Sequence, residues 1–349
     1  MIELPDPTVD LDWTGYVGSI QSIFRTNAEA HPDRTCVVET RSSEGPERRF
    51  TYRQIYEASN VLAHYLHNAG ITNGDVVMIW AHRSVDLVVS FMGALVCCNP
   101  EAVSGNKNEA AQKARLIVLI LNKASSATIS VLDPAYPPAR QKIYLEVAQP
   151  RALVQIARAT DEAGPLAPIV RNYIDDELDL KTEVPSLRLG DDGVLSGGND
   201  DDGNDVFAQA QALASSPPDT QVGPDSAPTL SFTSGSEGRP KGVLGRHFSL
   251  AKYFGWMAKR FELTSESKYT LLSGIAHDPV QRDIFTPLFL GAQLLVPSRE
   301  DIQHEKLAEW MHEHKPTVTH LTPAMGQILV GMFSRSPIPG LVRFLQDRG

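Results

Sequence analysis

Thr229–Leu244 is the stretch of this chain whose residue types are best suited to binding a phosphate. Two β-prone segments, Thr229–Thr233 and Gly242–Leu244, flank a loop of hydroxyl and glycine residues that ends in a lysine. Glycines let backbone N–H groups approach an anion, hydroxyls donate at short range, and a lysine ammonium neutralises a polyphosphate. The sequence therefore predicts a strand, an anion-binding loop and a second strand, with the binding residues Thr233, Ser234, Gly235, Ser236, Gly238 and Lys241.

This loop departs from the P-loop of kinases and ATPases, G-x-x-x-x-G-K-[ST]. Gly235 stands six residues before Lys241, as that pattern requires, but Pro240 replaces its second glycine and Gly242 replaces its metal-binding hydroxyl. We therefore exclude a P-loop nucleotide hydrolase or kinase at this position.

Three polar residues downstream are candidates for binding a substrate: Asp278, Arg282 and His320. Asp278 and Arg282 are four residues apart, so a helix would place them on one face, where the arginine fork can clamp a carboxylate. Two alternatives stay open, namely Asp278 as the cap of that helix and His320 as a hydrogen-bonded core histidine. For His312 and His314 we predict an exposed helix end and no metal site.

Alternating strand and helix patterns surround these residues and predict an α/β fold. Gly74–Trp80 is a continuous apolar run, which is typical of a strand buried on both faces of a sheet. Thr51 is predicted to cap one helix and Ser84 to open the next. The alternation indicates a doubly wound α/β layer. The predicted helices are 16–30, 51–69, 84–95, 139–147 and 249–260, and 35–40 with 50–52 forms a hairpin.

The composition excludes several classes of partner. The formal net charge is −10 and Lys and Arg do not cluster, so we expect no nucleic-acid partner. No apolar run approaches membrane-spanning length, and Met1–Asp6 has neither the basic nor the apolar region of a secretory signal. The three cysteines form no disulfide pattern, which favours a reducing compartment. We predict a cytoplasmic protein with no membrane partner.

Two segments interrupt the pattern. Residues 96–122 include the apolar run Leu116–Leu121, and we interpret them as translated retained intron; the alternative is a surface insertion with its own helix over 108–123. Residues 190–225 are rich in glycine and aspartate, and we predict a flexible acidic loop.

Phe232–Gly242, which reads F-T-S-G-S-E-G-R-P-K-G, resembles the third core motif of the adenylate-forming superfamily, [YF]-T-S-G-[ST]-x-G-x-P-K-G. That superfamily comprises acyl-CoA synthetases, luciferases and the adenylation domains of peptide synthetases. Phe50–Ile55 resembles its first motif, and Met92–Leu95 with Lys123–Pro137 resembles its second motif, split by 96–122. The resemblance implies the N-terminal lobe of an adenylate-forming enzyme, a layered α/β fold with mostly parallel sheets.

The resemblance also implies a reaction. A carboxylate would attack the α-phosphorus of ATP·Mg, and pyrophosphate would leave an acyl-adenylate. Thr233 and Lys241 are carried over as catalytic residues, and Thr233, Ser234, Gly235, Ser236, Gly238 and Lys241 would hold the β,γ-phosphates. No residue of the chain is assigned as a metal ligand.

His277–Val280 resembles the fourth motif, F-D-x-S, although His277 and Val280 replace its Phe and Ser. The family's aspartate pairs with a substrate ammonium, which Asp278 would do here. Arg282 would then bind a second carboxylate and His320 would add a polar contact. Over most of the chain outside 96–122 and the tail from about Met332, the sequence resembles one branch, the fungal α-aminoadipate reductases. Besides the phosphate loop, the segments that carry this resemblance are Tyr16–Phe24, Val131–Gln141, His277–Pro287 and His320–Leu329.

That branch implies adenylation of L-2-aminoadipate as the first step of its reduction to the semialdehyde in lysine biosynthesis. The parent would also need a phosphopantetheine carrier domain and an NADPH-dependent reductase domain, which this chain does not contain. The Y-G-[TS]-T-E motif, the G-R-x-D hinge and the C-terminal lysine are missing, and we expect 332–349 to lie outside the family. We therefore expect 1–331 to be a partial adenylation domain, inactive in isolation. The alternatives are a catalytically dead nucleotide-binding module and an adenylating enzyme for another amino or carboxylic acid.

Overall fold

The computed structural model describes residues 16–43, 45–97, 127–219, 222–233, 240–302 and 306–333. Of the segment predicted to be inserted, 98–122 lies outside these residues, as does 334–349 of the tail. Within the described ranges no helix is long and apolar enough to cross a membrane.

Helices and strands alternate along most of the chain. The helices are α1 (Ile20–Ala30), α2 (Tyr52–Asn68), α3 (Val85–Val96), α4 (Pro138–Ala148), α5 (Ala157–Ala163), α6 (Pro168–Glu177), α7 (His247–Phe261), α8 (Pro279–Leu290), α9 (Arg299–Ile302), α10 (Lys306–His314) and α11 (Pro323–Phe333). The strands are β1 (Thr35–Glu39), β2 (Arg48–Thr51), β3 (Val76–Trp80), β4 (Thr128–Leu132), β5 (Ala152–Ile156), β6 (Thr182–Leu189), β7 (Leu195–Ser196), β8 (Leu230–Thr233), β9 (Lys241–Leu244), β10 (Lys268–Thr270) and β11 (Gln293–Val296).

The strands form two mainly parallel sheets and one hairpin. The larger sheet has the order β4-β3-β5-β6-β7, in which only β7 is antiparallel to its neighbour. The second sheet has the order β10-β11-β1-β2, in which only β2 is antiparallel. All five residues of β3 are buried between β4 and β5, which confirms the strand predicted from the apolar run. The predicted fold, layered α/β with mostly parallel sheets, is confirmed.

Side-chain caps fix where two helices begin. Thr51 and Gln54 form a reciprocal capping box at the start of α2. Ser84 accepts a hydrogen bond from the Leu87 backbone at the start of α3. The two helices pack closely at Gly93 of α3, where an added Cβ atom would come within 2.8 Å of Leu62 of α2. The two predicted caps are therefore confirmed.

Residues 190–219 differ from the solvated loop that the composition suggested. Leu195, Phe207 and Ala210 are buried, and the Phe207 ring meets Tyr65 of α2 edge-on at 5.2 Å between centroids. The Asp205 carboxylate accepts hydrogen bonds from backbone N–H groups on both sides of its turn. The acidic residues thus close backbone turns, and the few apolar ones anchor the segment on α2.

A buried carboxyl on α3 binds the end of β6. Asp86 of α3 is 3 % exposed and accepts a hydrogen bond from Leu189 N at 2.7 Å. Glu39 lies near it, accepts from Val85 N at 2.7 Å and pairs with Arg48 at 2.6 Å. Burial, and then the Glu39 charge, raise the pKa of Asp86 to about 7.

We expect Asp86→Asn to remove a pH dependence of stability. Unfolded Asp86 would ionise near pH 4 while the folded group keeps its proton up to about pH 7. The group's contribution to stability is therefore fully present below pH 4 and is lost as the pH rises to 7, with a slope of up to about 1.4 kcal/mol per pH unit. Urea unfolding at pH 4, 5.5 and 7 would show the variant gaining stability relative to wild type. Asp201→Asn, which removes an exposed carboxylate, is the control. If the free energies of unfolding of wild type and Asp86→Asn differ by the same amount at all three pH values, the assignment is contradicted.

Candidate functional site

The β8–β9 hairpin holds the two ends of the predicted phosphate loop together. Thr233 and Lys241 are directly opposed in its register, and the Thr233 hydroxyl lies 3.5 Å from the Lys241 carbonyl. Both residues are exposed. The remaining predicted loop residues, Ser234, Gly235, Ser236 and Gly238, lie outside the described residues. The hairpin thus places a hydroxyl residue and a lysine at the two ends of the seven-residue loop 234–240.

The hairpin is attached to the larger sheet and to α8. Thr229 bridges in parallel to Ile129 of β4, and the Ser130 hydroxyl donates to Leu230 O at 3.0 Å. On the other side, Gln281 Nε2 of α8 donates to the Ser231 hydroxyl at 2.7 Å. A cavity of about 10 Å³, which is room for one water, remains between these elements. The β8–β9 hairpin and the start of α8 therefore belong to one packed unit.

Asp278 and Arg282 lie one turn apart at the start of α8. Asp278 is exposed at the N-cap position, but its side chain makes no capping hydrogen bond, which does not support the capping alternative. The Arg282 side chain is 32 % exposed, and its Nε is buried without a hydrogen-bond partner among the described residues. Because this Nε is buried, a ligand carboxylate would bind at the exposed part of the side chain.

Asp283 is a buried carboxylate that sequence reasoning did not select. It is fully buried and accepts hydrogen bonds from Leu272 N at 3.3 Å and Ser273 N at 2.9 Å. His320 Nδ1 lies 2.8 Å from the other carboxylate oxygen, and Arg282 Nε lies 3.9 Å from that same oxygen. The signal available in the sequence was a carboxylate within the otherwise apolar stripe of α8.

Arg83, at the carboxyl end of β3, holds the same peptide segment from its carbonyl side. Its Nη2 donates to Leu272 O at 3.4 Å and to Ser273 O at 2.9 Å. Burial lowers the pKa of Arg83, and the charges of Asp283 and Asp133 partly offset that effect. Leu272 and Ser273, just after β10, are thus held between the Arg83 guanidinium and the Asp283 carboxylate.

The structure brings some of the predicted site residues together. Arg282 and His320 converge on Asp283, whereas Asp278 stands at the exposed start of α8. His320 is therefore hydrogen-bonded, as its core-histidine alternative required, and it also lies beside Arg282. His314, at the end of α10, packs against the Trp310 ring at 5.2 Å.

The model of a protein family described as AMP-binding enzyme matches residues 24–97 and 123–345. The unmatched gap falls within the segment 96–122 that we interpreted as an insertion, whose origin stays a prediction. The match continues to residue 345, into the segment 332–349 that we expected to lie outside the family.

Two curated relatives are fungal enzymes. The chain is 60% identical to the L-2-aminoadipate reductase large subunit of Penicillium chrysogenum, over 94% of this chain and 21% of that protein. It is 54% identical to L-2-aminoadipate reductase of Schizosaccharomyces pombe, over 97% of this chain and 22% of that protein. The chain thus spans about a fifth of the length of these relatives.

A solved structure of VinN with L-aspartate superposes with a TM-score of 0.64 at 15% sequence identity, covering 92% of this chain and 66% of VinN. At that identity the likeness concerns the fold.

Proposed function

Because the chain belongs to the AMP-binding enzyme family, we propose that it contributes the ATP-binding and acid-binding lobe for adenylation of L-2-aminoadipate. The observation that carries the proposal is the β8–β9 register, which opposes Thr233 and Lys241 at the two ends of the phosphate loop. The identity to two fungal aminoadipate reductases supports the choice of acid.

In the proposed reaction a carboxylate oxygen of the acid attacks the α-phosphorus of ATP. A P–O bond forms to the acid, the bond between the α-phosphorus and the bridging oxygen breaks, and pyrophosphate leaves with its electron pair. Lys241 and Thr233 stabilise the charge on the departing phosphates. Mg bound to ATP would supply further positive charge there. Positioning by a hairpin anchored on two sides lowers the cost of orienting ATP.

Recognition of the acid falls to the start of α8. Asp278 pairs with the ammonium group of the acid, and the partly exposed Arg282 guanidinium binds the carboxylate that is not activated. His320, held by Asp283, adds a polar contact beside Arg282. In a protein of the relatives' length, a phosphopantetheine thiol would take the acyl group from the adenylate as a thioester, and AMP would leave. NADPH would then supply a hydride that reduces the thioester to the semialdehyde and releases the thiol. We also propose a cytoplasmic location without nucleic-acid or membrane partners.

ATP–pyrophosphate exchange with 2-aminoadipate tests the proposal. It is measured with this chain and with this chain joined to the remaining length of the Penicillium relative. We expect exchange from the joined form and little from the chain in isolation. ATP binding without exchange in the joined form would favour the catalytically dead module, and faster exchange with a different acid would overturn the choice of substrate.

Arg282→Ala is expected to lower kcat/KM for 2-aminoadipate in the joined form by about 10²-fold, because a partly buried charge-assisted pair is lost. Arg282→Lys should recover only part of the loss, since an ammonium cannot form the two-pronged contact. The comparison acids are 2-aminopentanoate and 5-aminopentanoate, each of which lacks one carboxylate. The acid that lacks the carboxylate bound by Arg282 should be used equally well by wild type and Arg282→Ala. An equal loss of kcat/KM on all three acids would contradict the carboxylate role.

A further inference from the structure

A series of ring contacts connects the phosphate-loop strand to the residue before Asp278. Phe232 of β8 stacks on Tyr144 of α4, with centroids 4.1 Å apart and planes 7° from parallel. Tyr144 meets Tyr136 edge-on at 5.6 Å. The Tyr136 hydroxyl lies 3.0 Å from His277 Nε2. The strand that ends in Thr233 and the loop that carries Asp278 are therefore linked through one tyrosine hydroxyl.

Tyr136 is held firmly from several sides. The Arg140 guanidinium lies over its ring at 4.1 Å, and Arg140 Nε donates to the Tyr144 hydroxyl at 3.0 Å. Gln141 Nε2 donates to Tyr136 O at 2.8 Å, and Tyr136 N donates to Asp133 O at 3.1 Å. The hydroxyl is thus fixed in direction before any ligand binds.

The opposite side of the contact is equally constrained. His277 N donates to Gly274 O at 3.2 Å, which closes a turn in front of α8. A Cβ atom added at Gly274 would lie 2.9 Å from His277 Cδ2, so a side chain there would displace the imidazole. The turn therefore gives the His277 ring its place against Tyr136.

The tautomer of His277 sets the direction of this hydrogen bond, because a tyrosine hydroxyl can donate or accept. Burial is the main cause that raises the pKa of Tyr136, so its hydroxyl keeps its proton. A neutral imidazole has one accepting nitrogen, and a Tyr136 donor makes Nε2 that acceptor. The imidazole proton then resides on Nδ1.

We propose that Tyr136 is a positioning residue that holds the exposed His277 ring as its Nδ1–H tautomer beside Asp278, where that N–H donates to an oxygen of the bound acid or its adenylate. This role rests on the proposed function. Tyr136 acts through His277, so it positions a donor without touching the substrate.

Imidazole ¹⁵N NMR of the histidine-labelled chain tests the pairing without any ligand, and His277→Gln identifies the His277 signals. We expect mainly Nδ1–H in wild type and a shift toward Nε2–H, the form that dominates in free histidine, in Tyr136→Phe. Tyr253→Phe is the matched control, because it removes an exposed tyrosine hydroxyl on α7, outside this series of ring contacts. An unchanged His277 tautomer in Tyr136→Phe, with the thermal unfolding of both variants like wild type, would overturn the proposal.

Exchange by the joined form separates this inference from the proposed function. Tyr136→Phe should lower kcat about tenfold, the equivalent of one hydrogen bond, with little change in the KM for ATP. A changed tautomer with an unchanged rate would overturn the positioning role. If wild type shows no exchange with 2-aminoadipate, the proposed function fails, whereas the tautomer result still decides whether Tyr136 controls His277.

Discussion

Replacing Lys241 by alanine is expected to slow adenylation about 10²–10³-fold, the usual loss when one preorganised charge or donor is removed from a developing anion. Lys241 is the first residue of β9 and lies opposite Thr233, so the hairpin fixes its backbone while its side chain is exposed. Negative charge on the β,γ-phosphates grows as the bond to the α-phosphorus breaks. The ammonium therefore stabilises the transition state more than bound ATP, and kcat should fall more than the affinity for ATP.

The measurement is the rate of ATP–pyrophosphate exchange in the joined form, together with the ATP dissociation constant. Lys252→Ala on α7 is the matched control, since Lys252 is an exposed lysine near in sequence but outside the loop. We expect that variant to keep the wild-type rate. A Lys241→Ala enzyme with an unchanged kcat would refute the catalytic role.

Local sequence patterns were sufficient to predict the elements that frame the site. Thr51 and Ser84 lie where a hydroxyl can accept from the first turn of a helix, and β3 is a short apolar run with no alternation. The two strands beside the phosphate loop were predicted for the same reason, because β-prone segments flank a glycine-rich loop. Each of these features is decided by residues close together in the chain.

Contacts between distant residues could not be predicted in this way. Asp283 and His320 are 37 residues apart, and Tyr136 and His277 are 141 apart. Periodicity shows that a side chain faces the core, but it does not identify the partner that the fold brings to it. The packing of 190–219 was missed for a related reason, since its composition concealed that Phe207 would anchor it on α2.

Asp283→Ala is expected to destabilise the chain by about 3–5 kcal/mol, the cost of removing one partner of a buried charged network. Three donors lose their acceptor at once: Leu272 N, Ser273 N and His320 Nδ1. Arg83, which holds the carbonyl side of the same peptides, also loses a nearby counter-charge. Because these groups lie where β3 and β10 approach each other, the loss should weaken the junction between the two sheets.

Urea unfolding at pH 7 measures the loss, and Asp278→Ala is the matched control on the same helix. Asp278 is exposed and makes no capping bond, so its removal should change stability by no more than about 0.5 kcal/mol. Asp283→Asn should fall between the two, because an amide oxygen can still accept from a backbone N–H while the charge beside Arg83 and His320 is lost. Equal stabilities of Asp283→Ala and Asp278→Ala would show that the buried carboxylate does not hold the junction, and the positions of Arg282 and His320 would then need another cause.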